Sequence, residues 1–255
     1  WNPFVGNYIM DAFATEIGGE VYVKMPNGFM AMVGITAGLI KGDVTDVADD
    51  DVKKSPSILV KLAYDKQMND DLRVRLSGSL YNNSNTIRNT LYGGDRSGSR
   101  YYEVMNPVDG GTDFAGRVNP GFNNKITAIQ INPFVKFKGL EFFGTYEMAS
   151  GGRWVAADND FDSRDVTQIA AELLYRFGAN ENIYIGGRYN QISGMLFNGS
   201  EDEASVDRLQ VAAGWYATKN LLLKLEYVSQ NYVDWTGLFE EGKFNGFMIE
   251  AVAGF

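Results

Sequence analysis

The chain has 255 residues and is 45% apolar, enough to bury a sizeable core, with 29 Gly, 14 Tyr and 16 Phe against 6 Pro. A formal net charge of -9 with no basic stripe excludes nucleic acid as the main partner. The absence of Cys and His removes disulfides, thiol chemistry, Cys- or His-ligated metals, a His proton shuttle and any Ser-His-Asp triad.

No stretch approaches 18 consecutive apolar residues, so no transmembrane helix is expected. That leaves membrane β-barrels open, because a barrel strand shows lipid only every second residue. Trp1-Asn2-Pro3-Phe4 lacks the basic start and apolar run of a secretory leader. The expectation is a chain that has been processed or that belongs to something longer.

Taken in order, eleven strands are predicted, near 13–25, 28–41, 56–66, 71–83, 124–138, 139–151, 163–178, 182–194, 204–217, 219–233 and 243–255. Their basis is strict alternation. Ile58, Val60, Leu62 and Tyr64 alternate with Leu59, Lys61, Ala63 and Asp65. Leu72, Val74, Leu76, Gly78 and Leu80 alternate with Arg73, Arg75, Ser77, Ser79 and Tyr81. The same period of two runs through Ile169, Ala171, Leu173, Tyr175 and Phe177, and through Leu221, Leu223, Leu225 and Tyr227. No comparable 3.6-residue pattern with capping signals occurs, so the class is all-β.

The connections alternate between short and long. Short turns fall at Pro26-Asn27-Gly28, Met68-Asn69-Asp70-Asp71, Lys138-Gly139, Ala179-Asn180-Glu181-Asn182 and Lys219-Asn220. Asn27-Gly28 is a hairpin signal, since both residues tolerate positive φ. Long polar loops are predicted at 42–55, 84–123, 152–162, 195–203 and 234–242. Short turns at one end and long loops at the other match a transmembrane up-and-down antiparallel β-barrel of the bacterial outer membrane, turns periplasmic and loops outside. The last strand then runs inward and leaves the carboxyl terminus periplasmic. By the same count the strand at 13–25 also runs inward. An even-stranded barrel therefore needs at least one more strand, and the expectation is a single domain over 1–255 that lacks amino-terminal strands of a barrel with 12–16 in all.

Aromatic residues fall on the lipid-facing parity near the periplasmic turns: Tyr64, Phe137, Phe177, Trp215 and Phe255. Rings at headgroup level are what a barrel in outer-membrane lipid requires. Counting back from Phe255 in twos gives Ala253, Ala251, Ile249 and Phe247, all apolar. A final strand closing on a terminal aromatic resembles the carboxyl-terminal signal of bacterial outer-membrane β-barrels, which implies the barrel-assembly machinery as a partner.

The segment Asn220-Leu221-Leu222-Leu223-Lys224-Leu225-Glu226-Tyr227-Val228-Ser229-Gln230-Asn231-Tyr232, with the Phe-ending strand after it, resembles the last hairpin of Gram-negative porins. It is most similar to the phosphate-selective porin O/P-like group, as is Trp1-Asn2-Pro3-Phe4-Val5-Gly6-Asn7 followed by Met10-Asp11-Ala12-Phe13. These segments cover about a sixth of the chain. The resemblance implies a porin of about 16 strands in a homo-trimer or larger membrane complex. The group's anion selectivity rests on lysine-rich constrictions, and this sequence has no such cluster, so phosphate selectivity is not carried over.

Alternation assigns pore-lining candidates. The basic ones are Lys24, Lys61, Arg73, Arg75, Lys136, Arg176, Arg188, Arg208 and Lys224. The acidic ones are Glu16, Glu20, Asp65, Glu141, Glu147, Glu172, Glu226 and Glu250. Near balance of sign points to cross-strand ion pairs along a wet wall with weak ion preference, and simple hydrated interior positions are the plainer alternative. The loop at 84–123 is long enough to act as a constriction carrying Arg88, Arg96, Arg100 and Arg117, or to be a solvated surface loop. Acidic stretches at 43–51 and 158–162 read as solvated loops rather than cation sites, because the second lacks the glycine and distal Glu of a calcium loop. No metal or cofactor is called for, and no carboxylate spacing points to an enzyme.

The expected function is passive diffusion of small hydrophilic solutes or ions. A structural barrel that scaffolds partners around a plugged lumen is the alternative. A soluble β-sandwich binding module would instead stay in solution without detergent.

Overall fold

The computed structural model describes residues 16–38, 55–92, 118–196, 202–236 and 240–254. They form one antiparallel sheet of eleven strands in strictly sequential order, β1 (Gly18–Lys24), β2 (Phe29–Thr36), β3 (Ser57–Gln67), β4 (Leu72–Asn83), β5 (Lys125–Phe137), β6 (Leu140–Val155), β7 (Asp160–Phe177), β8 (Ile183–Gly194), β9 (Ala204–Thr218), β10 (Leu221–Val233) and β11 (Lys243–Ala253). The chain is thus all-β and up-and-down, as the alternation requires. Among the described residues β1 and β11 each pair on one side only, so the sheet has two edges. Among the described residues β1 begins at Gly18 and β2 ends at Thr36, both shorter than the predicted 13–25 and 28–41.

The turns form where the sequence tolerates positive φ. Asn27 and Gly28 lie at φ 61° and 89°, and Lys138 at φ 51° closes the two-residue turn between β5 and β6. One predicted loop is not a loop. Residues 152–162 continue β6 and β7 as a paired hairpin to Val155↔Asp160, leaving only 156–159 as the tip, with Asn159 at φ 52°. Their Asp and Gly content signalled a loop, but backbone pairing needs only a partner strand. Trp154 edge-on to Phe161 at 5.1 Å and Arg164 bonded to Asp162 at 2.6 Å hold the extension together.

The two faces of the sheet are inverted relative to a soluble protein. One carries Leu62, Ile131, Leu173, Ile185 and Val211, all exposed, and Ile249 at 86%. The other carries polar groups that are almost wholly covered, among them Asn190 and Glu226 at 0% and Gln210 at 1%. Burial of polar side chains behind an apolar surface is the arrangement of a sheet facing lipid outside and water-compatible groups inside.

The loop-side edge of the outer apolar band falls at Ile58, Ile129, Ile169 and Leu209, on β3, β5, β7 and β9. By register Ile58 is level with Thr127, Ile129 with Thr167, and Ile169 with Asp207. The band therefore slips two residues for every two strands crossed. With a rise of about 3.3 Å per residue and strands about 4.8 Å apart, that slip is a strand tilt of about 35°. Eight residues at that tilt, as from Ile129 to Phe137, span about 22 Å of membrane normal, close to the apolar height of outer-membrane barrels. Tyr64, Phe137, Phe177 and Trp215 all lie on this face at its turn-side edge, and Phe255 lies outside the described residues.

Pro133 sits inside β5, where it donates no ladder bond. It is tolerated because Gly144 faces it on β6, and a β-carbon there would lie 2.9 Å from Pro133 Cγ. The Asn132 side-chain amide also donates to Thr145 Oγ1 at 3.0 Å and to the Gly144 carbonyl at 3.4 Å. Gly144→Val is expected to destabilise the folded sheet by about 1–3 kcal/mol. Urea unfolding in detergent, followed by the heat-modifiable gel shift, measures it, and an unchanged midpoint would show that the Pro133 ring yields freely.

Candidate functional site

Alternation within a strand selects a face, and cross-strand register then sets which side chains meet. All thirteen predicted pore-lining residues fall on the polar inner face: Lys61 on β3, Arg73 and Arg75 on β4, Lys136 on β5, Glu141 and Glu147 on β6, Glu172 and Arg176 on β7, Arg188 on β8, Arg208 on β9, Lys224 and Glu226 on β10, and Glu250 on β11.

Register brings most of them together in pairs. Asp65 is level with Arg75 by register but accepts two bonds from the Arg73 guanidinium, at 2.9 and 2.7 Å. Glu141 accepts from Arg176 at 3.0 Å and sits 3.3 Å from Lys136, whose ammonium is also 3.6 Å from Glu181. Glu172 and Arg188 are direct cross-strand partners, with Arg188 Nε donating at 2.7 Å. Lys224 lies 2.6 Å from Glu250 and 3.6 Å from Glu226. Arg208 donates to Gln230 Oε1 at 2.6 Å, and Gln210 donates to Glu226 at 2.7 Å.

Two cations stand apart from this pattern. Arg75 lies over the Phe134 ring at 4.9 Å, and among the described residues neither Arg75 nor Lys61 has a carboxylate within ion-pair distance. Both line a cavity of ≈ 540 Å³ on the inner face between β2 and β7. A second, wider cavity of ≈ 910 Å³ lies at the turn end against Lys136, Glu141, Arg176 and Tyr216.

Of the predicted constriction arginines, Arg88 is exposed, while Arg96, Arg100 and Arg117 lie outside the described residues. The described ends of that long loop turn onto the inner face. Asn124 ties them together, its side-chain amide donating to the Thr86 and Ile87 carbonyls and its Oδ1 accepting from the Trp154 amide. Tyr92 packs on Phe122 at 5.3 Å inside an apolar cluster that includes Ile126, Val166, Ile192 and Val206, contributed by β5, β7, β8 and β9. The cluster covers the inner face across consecutive strands from β5 to β9.

Tyr92 is a functional candidate that alternation could not supply. Its hydroxyl donates to Glu147 at 2.6 Å, and Gln130 donates to the same carboxylate at 2.6 Å. Burial pushes the Tyr92 phenol well above its ordinary range, and the Glu147 charge pushes it the same way, so it remains a donor. The inner-face amides Gln130, Asn132, Asn190, Gln210 and Gln230 were also legible only as polar positions, with no sequence signal for their partners. Among the described residues no three acidic side chains converge as a metal would need, and in the acidic stretch at 158–162 only Asp158 and Asn159 lie in the hairpin tip, while Asp160 and Asp162 are paired in β7, with Asp162 held by Arg164. The acidic stretch at 43–51 lies outside the described residues.

No protein-family model matches the chain, and no curated protein matches it. Solved structures do. The anion-selective porin from Comamonas acidovorans aligns over 100% of this chain and 66% of its own, with a TM-score of 0.59 at 12% identity. The fold is porin-like. OmpT, an outer-membrane protein of Vibrio cholerae solved in a trimer form, aligns over 92% of this chain and 63% of its own, with a TM-score of 0.49 at 13% identity. The NanC porin aligns over 92% of this chain and 91% of its own, with a TM-score of 0.41 at 12% identity. The chain thus spans slightly less than two thirds of the length of two of these porins. The match is one of outer-membrane β-barrel architecture, and it carries no residue-level likeness to the phosphate-selective porin O/P-like group.

In the porin-like wall, the Glu172–Arg188 pair is an enclosed cross-strand bridge, with side chains 16% and 12% exposed. Glu172→Gln removes the carboxylate that Arg188 bonds across the strands and is expected to cost about 1–3 kcal/mol, with solvent screening offsetting part of the loss. The double change Glu172→Met with Arg188→Met should recover most of that. Urea midpoints of the three proteins measure it, and equal midpoints for single and double variants would show the pair to be energetically idle.

Proposed function

We propose that this chain forms a water-filled channel for passive diffusion of small hydrophilic solutes or ions across the bacterial outer membrane. The observation that carries this reading is the inversion of the sheet: an apolar band outside and an ion-paired, amide-rich wall inside. The charged inner side chains, Lys61 through Glu250, keep the lumen wet, and the long loop sets the width. Arg88, Arg96, Arg100 and Arg117 then shape the field at the constriction. Inward-turned loop ends at Tyr92 and Phe122 support the loop's part in this. In this reading Tyr64, Phe137, Phe177, Trp215 and Phe255 form the periplasmic aromatic girdle, with Phe255 as the assembly signal and the carboxyl terminus in the periplasm. Further strands complete the wall between β11 and β1. Outer-membrane lipid and the barrel-assembly machinery are its partners, and a homo-trimer is its assembly. Membership of the phosphate-selective porin O/P-like group belongs to the same reading and rests on the last hairpin's sequence; phosphate selectivity does not.

One observation favours a second reading, a scaffold with a plugged lumen: the apolar cluster of Tyr92, Phe122, Leu196 and Trp235 lies inside the loop end of the sheet. Reconstitution into planar bilayers separates the two. A channel gives ohmic conductance steps, and a plugged scaffold gives none. If the long loop is the constriction, removing residues 93–117 should raise single-channel conductance about twofold or more, since conductance follows the narrowest section. Equal step sizes would reject the constriction.

A further inference from the structure

The ≈ 540 Å³ cavity of the inner face is built from three successive levels of the sheet. At the upper level Lys61 pairs with Ser79, Ser79 with Gln130, and Gln130 with Glu147. At the lower level Asp65 pairs with Arg75, Arg75 with Phe134, and Phe134 with Phe143. Between them stand Ala63 and Ser77, directly opposed and too short to fill the space. The result is a hollow with a small-residue floor, flanked on one side by the Lys61 ammonium and on the other by the Arg75 guanidinium.

The charges around this hollow do not cancel as they do elsewhere on the wall. Asp65 is taken up by Arg73 through two hydrogen bonds. Glu147 is held by the neutral donors Tyr92 and Gln130. Lys61 and Arg75 are thus two cations facing one shared space with a single uncompensated carboxylate at its rim. That arithmetic, two positive against one negative, leaves room for one negative charge. Arg75 is also pre-positioned, because its guanidinium rests over the Phe134 ring at 4.9 Å.

The remaining lining is mixed: Ser77, Gln130, Asn132, Thr145 and Gln168 are polar, while Met30, Ala63 and Phe143 contribute a patch of carbon surface. A fully hydrated inorganic anion gains nothing from such surface. A carboxylate attached to a flat apolar body gains from both parts.

We propose that the Lys61–Arg75 hollow is a binding station for small organic monocarboxylates, held by the two cations with the apolar body against Met30 and Phe143. This rests on the reading of the inner face as a solute path and names the solute class that dwells on it. The station would slow such solutes enough to select them while leaving chloride to pass.

The test uses benzoate as the probe and inorganic phosphate as the comparison, by calorimetric titration into the full protein folded in detergent. Benzoate is expected to bind more tightly than phosphate. Lys61→Gln and Arg75→Gln should each weaken it about tenfold, the usual worth of one charge-assisted hydrogen bond. Lys138→Gln removes the same charge at the β5–β6 turn, outside the hollow and off the inner wall, and should leave benzoate binding unchanged. The heat-modifiable gel shift shows that each variant is folded; for any that is not, Lys61→Arg, which keeps the charge, should retain binding within a few-fold, and Arg75→Lys, which loses the guanidinium stacked on Phe134, should weaken it. Absent benzoate binding, equal affinity for phosphate, or an effect of Lys138→Gln as large as that of Lys61→Gln would each overturn the station. Conductance in planar bilayers reports separately on the channel: steps without benzoate binding would leave the channel standing and remove the station, and binding without steps would do the reverse.

Discussion

The constraint on which the rest depends is that strands crossing hydrocarbon must satisfy every backbone N–H and C=O from within the sheet. Pairing in sequential order meets that demand with the shortest connections and without crossing strands. Once each strand is committed to two neighbours, side chains have only two destinations, and the alternation of apolar and polar residues becomes compulsory. Where the demand is relaxed, at Pro133, the chain supplies a substitute donor from Asn132 and a glycine opposite. The sheet tolerates one lost ladder bond only because those two residues are placed around it.

The inner wall follows from the same commitment. Charged residues on one face of adjacent strands stand about 5 Å apart, close enough that like charges would repel and opposite charges bond. Lys136, Glu141 and Arg176, on three consecutive strands, alternate in sign, as do Glu172 with Arg188 and Lys224 with Glu250. Such pairs add little to stability where water reaches them, yet they fix the lateral position of long side chains that would otherwise fill the lumen at random. The unpaired cations of β3 and β4 are then departures from a rule the rest of the wall obeys.

Much of this was legible in the sequence, because alternation records both the strand and its face. Lys61, Arg73 and Arg75 were assignable to the inner face from Leu62 and Leu76 beside them. The turns were legible from Asn27-Gly28 and Lys138-Gly139, whose conformations few other residues share. The hairpin extension at 152–162 was not, because above the membrane a strand no longer needs apolar residues and its Asp and Gly content looks like loop. Tyr92 was missed for a related reason. Its role depends on a contact with Glu147, 55 positions later, and nothing periodic announces a contact made across a loop. Partner choice among the inner-face amides was likewise invisible, since it is set by register rather than by residue type.

The slip of the apolar band by one residue per strand has a consequence for whatever passes inside. Residues joined by register lie on a line perpendicular to the strands, and with the strands tilted about 35° that line climbs about 3 Å toward the loop end with each strand. Asp65 and Arg188 belong to one such line but sit five strands apart, which sets them about 14 Å apart in depth. The charges are therefore laid out as a ramp around the wall rather than as a ring. In the proposed channel a solute would meet them in series, handed from one pair to the next, with no single cross-section carrying the whole field.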